Sequence, residues 1–336
     1  MTEPENPLGK AQSTFVDRLP HRTTAAEKIP LADALGRTLH ADVTAPEPAP
    51  PYPRAIAEGF IIYAASAHGA SEESPRSFKI VGTCLPGDAT FPPLQPGEAV
   101  EVACGSLVPD GPVALARMWE AKRDGNTVRV SRPFPPRFFI EETGCDMSLG
   151  AMIAPAGTVL GADHIGLIAT QGIASVSVAR APRVTVFASG DEVVPFDQQL
   201  SPGLIRDSNT PMLCAAIAAA GGVANAGGIM QDDFARCVDI IREALKHADM
   251  IVIAGGTAVG GRDFVSDLLR EVGELLVDGV PMKSGRPLIM GVAEGGHKPI
   301  VCVAGHPPEA LRGFRLFGVA AIDRLLGRDR PLPADA

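Results

Sequence analysis

The sequence predicts an α/β protein whose C-terminal half is a three-layer domain, a parallel-type sheet with helices on both faces. A helical and extended N-terminal segment and a small β-rich domain precede it. Three observations predict this. From Arg183 onward, short β-branched runs alternate with stretches of helical period, the pattern that builds parallel sheets. Between residues 77 and 130 the apolar runs are short and separated by Pro-Gly punctuation, as in a small barrel or sandwich. The 36 glycines and 31 prolines of the 336 residues are interleaved with Val, Ile and Leu, so they mark many turns rather than disorder.

Taken in order, residues 1 to about 14 are polar and expected to fray. Ile29, Leu31, Leu35 and Leu39 recur at helical spacing, with Pro30 suited to a first turn, which predicts a helix or helix pair over residues 23–39. The proline-dense residues 45–53 make an extended connector. It leads to Arg54-Ala55-Ile56-Ala57-Glu58-Gly59-Phe60, where Glu58 either stands at a strand end or simply opens a hairpin. The small residues of Cys104-Gly105-Ser106 would let a ligand approach, and equally suit a plain hairpin loop. Gly144-Cys145-Asp146-Met147 sets another carboxylate beside a glycine, and residues 162–172 have the period of a short helix stopped by Gly172.

The later half carries the chemistry. Residues 184–188 read as a buried strand that stops at Ser189-Gly190-Asp191-Glu192, and open α/β sheets bind their ligands at such carboxyl ends. Asp207-Ser208-Asn209 supplies capping groups for a helix beginning near Thr210. A second strand is expected over 222–230, and Asp232-Asp233 opens a helix over 234–247. A third strand, 249–254, runs directly into Gly255-Gly256-Thr257 and on to Arg262-Asp263. Glycine amides there can converge on an anion. Lys283 and Arg286 flank a turn, and the last strand, 300–303, runs into Ala304-Gly305-His306-Pro307 before a helix over 309–326. Each of these side chains alone could serve as a cap or a solvated charge; their gathering at strand ends of one sheet argues for a shared site.

Composition excludes several classes. With 39 acidic against 30 basic side chains the net charge is -9, which repels nucleic acids and anionic membranes at long range. No apolar run approaches the ~18 residues of a membrane span, and Met1 to Asn6 has no basic start followed by an apolar core. The six cysteines are scattered without metal-site spacing, as expected of buried thiols in a cytoplasmic protein.

With these residues in view the chain resembles the MoeA family, the molybdopterin molybdenumtransferases that include the gephyrin E domain, over about residues 15–326. The resemblance is carried in order by Leu31 to Pro46, Gly97-Glu98-Ala99-Val100 with Cys104-Gly105-Ser106, Gly144-Cys145-Asp146-Met147-Ser148, Ser189-Gly190-Asp191-Glu192-Val193, Asp207-Ser208-Asn209, Gly255-Gly256-Thr257 and Met282-Lys283-Ser284-Gly285-Arg286-Pro287. It implies an N-terminal linker domain (1–50 and 140–180), a small β-rich domain (51–139) and a molybdopterin-binding α/β domain (181–330). The implied reaction joins molybdate to adenylylated molybdopterin with Mg²⁺ and releases AMP.

Carried over by position, the catalytic set is Glu58, Asp146, Glu192, Asp263, Lys283 and Arg286. The cofactor-binding set is Ser189, Gly190, Asp207, Asn209, Gly255, Gly256, Thr257, Gly305 and His306; the metal set is Asp191, Glu192 and Asp232. A homodimer is implied, with a molybdenum enzyme or cofactor chaperone as a further partner. The chain departs from the family at residues 53–60, where the family has D-N-S-A-M-D-G-Y, at Ala304-Gly305-His306-Pro307, where it has PGNP, and at Arg286, where it has lysine. The family's C-terminal β domain is expected to be missing. A diverged molybdopterin-binding or carrier protein is therefore an alternative. The Gly255-Gly256-Thr257 to Asp263 loop also resembles that of molybdopterin adenylyltransferases, which lack the N-terminal half.

Overall fold

The computed structural model describes residues 7–21, 24–256, 264–282 and 285–333. The chain divides into two compact units: Met1–Asp42, Ala154–Gly166 and Ile173–Ala336 form one, and Val43–Ile153 with Leu167–Gly172 form the other.

The larger unit is built on a six-stranded sheet. In chain order its elements are β1 (Arg183–Ser189), α1 (Asn209–Ala220), β2 (Val223–Met230), α2 (Phe234–Leu245), β3 (Met250–Gly255), α3 (Phe264–Val272), β4 (Glu274–Met282), β5 (Gly285–Ala293), β6 (Lys298–Val303), α4 (Pro307–Gly313) and α5 (Val319–Leu326). The strand order is β2-β1-β3-β6-β5-β4. The first four run parallel and the β4–β5 hairpin closes the sheet antiparallel. Every residue of β3 is buried, because a parallel sheet is covered on both faces. One face packs on Leu213 and Ile217 of α1, Ile322 of α5 and Phe15; the other packs on Ile241 of α2 and Leu268 of α3. The expected three layers are thus present.

Three expectations change. Residues 26–30 form a strand, not a helix: Ala26–Pro30 pairs antiparallel with Ser175–Ala179, and Leu35, placed by helical period on a buried face, is 68% exposed. The partner strand supplies the hydrogen bonds that a local helix would have made. The N-terminal residues do not fray throughout, since Pro7–Val16 is a helix that inserts Phe15 into the core and whose Gln12 Nε2 donates to Leu316 O and Pro333 O. The turn expected between Lys283 and Arg286 joins two strands, β4 and β5, that the sequence pattern does not announce. Their Gly279, Gly285 and Gly291 break the apolar runs that announce a strand.

The smaller unit carries its own six-stranded sheet, ordered Val113–Arg117, Gly59–Tyr63, Glu98–Val102, Arg76–Cys84, Thr127–Val130, Ala121–Asp124. Phe60 and Phe78 fill one face, Ile61 and Leu115 the other. At one end Glu120 accepts hydrogen bonds from Arg117 Nε and Nη2, both at 2.7 Å, and from Arg132 Nε at 3.0 Å. The Arg117 bonds first, and then Arg132, push the Glu120 carboxyl down to about 2 against the opposing effect of burial. Val43–Thr44, where the chain enters this unit, pairs with Met152–Ala154, where it leaves. All six cysteines are free thiols, and Cys104 and Cys145 are exposed, contrary to the expectation of burial.

Candidate functional site

The carboxyl ends of β1, β3 and β6 meet at one edge of the larger unit's sheet, and β5, antiparallel to β6, begins at that same edge. Between them lies a cleft of about 190 Å³ whose lining includes Ser189, Gly190, Asp207, Asn209, Gly255 and Gly305. Glycine is required where β1 and β3 end side by side: Gly255 has φ +97°, and a Cβ on it would sit 2.6 Å from Ser189 O. Gly256 follows at φ +72°, where a Cβ would lie 3.0 Å from Ser189 Oγ. The floor of the cleft is therefore bare backbone.

Side chains from the loop before α1 form the facing wall. Asp207 is buried and accepts from Thr210 N at 3.0 Å, so its carboxylate caps α1, as its position in the sequence suggested. Asn209 Nδ2 donates to Gly305 O at 2.7 Å, which ties the α1 loop to the end of β6. Its Oδ1 is buried with no partner, and so is Ser189 Oγ. Two unpartnered polar atoms on residues lining one cleft are costly unless a ligand or water meets them. Arg206 also lines the cleft, with Nε donating to Gln198 O at 3.2 Å. It stands directly before Asp207 in the sequence, where its charge could have marked it.

Glu192 also lines the cleft, with Asp191 and Asp232 beside it. Asp191 Oδ1 accepts from Asp232 N at 3.2 Å, and Glu192 curls back over Gly190, where a Cβ would meet its Oε2 at 2.5 Å. Burial, then Asp191 and Glu192, raise the Asp232 carboxyl above its ordinary value. None of the three pairs with a cation among the described residues. Their oxygens are not drawn within 4.8 Å of one another, which is the spacing of the only such group among the described residues, Glu141, Cys145 and Asp146 of the smaller unit. The mutual repulsion of these carboxylates is the kind a hard cation relieves, but their oxygens would have to draw closer together to share one. A second pocket, of about 450 Å³, borders Asp191 and includes Arg236, which sequence reasoning passed over.

The remaining predicted residues take other places. Arg286 Nη2 donates to Gly279 O at 2.7 Å and to Asp278 O at 3.2 Å, so it braces the β4–β5 hairpin and does not line the cleft. His306 caps α4 through its carbonyl, which accepts from Ala310 N at 2.9 Å; the cleft is lined by Gly305 and Pro307 on either side of it. Glu58 and Asp146 belong to the smaller unit. Glu58 is exposed beside Gly59, whose missing Cβ leaves room for Ala116 O. Asp146 faces Arg54, whose Nε donates to Glu141 at 2.6 Å and whose Nη2 reaches Asp146 at 3.4 Å. Thr257, Asp263 and Lys283 lie outside the described residues.

Residues 7–172 match a model described as the MoeA N-terminal region (domain I and II), and residues 185–324 match a probable molybdopterin binding domain. A molybdopterin molybdenumtransferase of Bacillus subtilis is 30% identical over 310 residues, covering 91% of this chain and 72% of that protein. The chain belongs to the molybdopterin molybdenumtransferase family. A Nostoc molybdenumtransferase is 29% identical over 303 residues, covering 90% of this chain and 70% of that protein. The crystal structure of a molybdopterin biosynthesis MoeA protein from Pyrococcus horikoshii superposes with a TM-score of 0.83 at 31% identity, covering 96% of this chain and 80% of that one. Within this molybdenumtransferase fold, the glycine-floored cleft lies inside the segment matched as molybdopterin-binding.

Proposed function

We propose that the protein acts in molybdenum cofactor biosynthesis, binding adenylylated molybdopterin in the glycine-floored cleft and inserting molybdate with release of AMP. The observation that carries this reading is the pair of buried, unpartnered atoms, Ser189 Oγ and Asn209 Oδ1, in a cleft of a molybdenumtransferase-family chain. A phosphate or pterin group offers hydrogen-bonding atoms to both. The amides of Gly255 and Gly256 suit the anionic end. Arg206 supplies the positive charge on the facing wall.

In this reading Asp191, Glu192 and Asp232 would hold Mg²⁺, which when bound neutralises phosphate charge and favours departure of the AMP leaving group. The chain's own part is positional: Asn209 fixes the α1 loop against β6, and Asp207 keeps that loop in place by capping α1. Asp263 and Lys283 remain candidates for handling molybdate. The second reading, a cofactor carrier without turnover, is favoured by Arg54, which engages the Asp146 carboxylate.

AMP release on mixing the protein with adenylylated molybdopterin, molybdate and Mg²⁺ separates the two. Turnover supports the transferase. Binding by calorimetry without AMP supports the carrier, and no heat with either pterin form, with or without Mg²⁺, removes both. Asp191→Ala is expected to weaken Mg²⁺-dependent binding about tenfold while leaving Mg²⁺-free binding nearly unchanged.

A further inference from the structure

We infer that the larger unit carries a second anion site, away from the glycine-floored cleft, that takes a compact phosphate or carboxylate bearing an apolar body. The site is a pocket of about 290 Å³ around α5 and the segment that follows it. Its lining includes Arg315, Arg324, Arg328, Arg330 and Asp323, so four arginines share it with one carboxylate in a protein whose net charge is -9. Val16, Val319 and Leu332 contribute apolar wall.

The hydrogen-bond inventory is unbalanced in the same sense. Arg328 is 94% buried and already used, donating to Thr38 Oγ1 at 2.7 Å, Ala220 O at 2.8 Å and Asp323 Oδ1 at 3.2 Å. Arg330 leans on the same Asp323 oxygen at 3.7 Å, so that atom is shared between two cations. Arg324 Nη2 donates to Leu19 O at 3.0 Å, but its Nε is buried without a partner. Arg315 is exposed and has no ion pair among the described residues. An arginine carries five N–H donors and no acceptor, so three of these four side chains keep donors in excess of what the surrounding protein accepts. Burial raises the Asp323 carboxyl in spite of Arg330 and Arg328, so the one carboxylate here is the buried one, while Arg315 and Arg330 open to the surface where a ligand can enter. An oxyanion is the group that meets clustered guanidinium donors, and the apolar walls leave room for a ring or short chain beside it.

Isothermal titration of the full chain with phenyl phosphate, and separately with inorganic phosphate, tests the site. Phenyl phosphate is expected to bind at least fivefold more tightly than inorganic phosphate. The double variant Arg315→Ala/Arg330→Ala is expected to weaken it at least tenfold, both side chains lying at the surface where truncation spares the core. Asn209→Ala, which alters the other cleft, is expected to leave this binding within twofold. Thermal midpoints of the ligand-free variants within 2 °C of wild type, as expected of surface truncations, exclude unfolding as the cause. The inference is overturned if neither anion produces heat, or if the arginine double variant binds like wild type. It is also overturned if Asn209→Ala abolishes the signal, because the probe then occupies the cleft.

Discussion

At the scale of single residues, the two unpartnered atoms in the cleft make opposite demands on stability and binding. Ser189 Oγ is buried without a hydrogen bond, so Ser189→Ala removes a polar group that the ligand-free protein does not satisfy. The variant is expected to be as stable as wild type, or more stable by up to about 1 kcal/mol in urea unfolding, while pterin affinity falls about tenfold. Loss of stability with affinity intact would sink the assignment of that hydroxyl to a ligand. Glu120 makes a demand of the other kind. Its carboxyl is held at about 2, below its ordinary 4.5, so the ion pair stabilises the folded state above pH 4.5 and is lost as pH falls toward 2. Glu120→Gln is expected to cost about 1.5–3 kcal/mol at pH 7, and the gap between it and wild type to close in chemical unfolding at pH 2–3. Of the residues named from the sequence, Ser189, Gly190, Glu192, Asp207, Asn209, Gly255, Gly256 and Gly305 do line one cleft, because they follow strands or precede a helix in one sheet. That Ser189 and Asn209 carry unpartnered atoms, or that Arg54 reaches Asp146, depends on side chains meeting across space, which no local spacing records.

At the scale of elements, what was legible follows from how each strand is buried. β1, β3 and β6 are covered on both faces, and their unbroken Val and Ile runs announce them. The strand Ala26–Pro30 has only exposed or half-buried residues and a partner beyond residue 170, so its few apolar positions mimic a helix. The abrupt end of β3 is the element most sensitive to substitution. Gly255→Ala must adopt a left-handed φ and bring a Cβ to 2.6 Å from Ser189 O, which splays β3 from β1 at the cleft floor. A loss of about 2 kcal/mol or more is expected, measured by thermal or urea unfolding, together with loss of ligand binding. A Gly255→Ala protein as stable as wild type and fully competent in binding would mean that the floor tolerates a side chain.

At the scale of the whole molecule, the family to which the chain belongs leads us to expect a homodimer. Light scattering should give about 70 kDa, twice the 34.9 kDa of the chain, and a monomer at micromolar concentration would remove that expectation. The two units also impose an order of assembly on a chain emerging from the ribosome. Residues 43–153, all of the smaller unit but Leu167–Gly172, are made long before β6, whereas Ala26–Pro30 must wait for Ser175–Ala179. Where the intervening segment begins and ends, Ala45 N donates to Ala151 O and Gly150 N to Ala45 O, both at 2.8 Å. Once that segment has folded, its two ends are a hydrogen bond apart, and the loop that must close to bring residue 30 to residue 175 shrinks from the whole intervening chain to the few residues on either side. Vectorial synthesis thus turns the most distant strand pairing of the larger unit into a nearly local one.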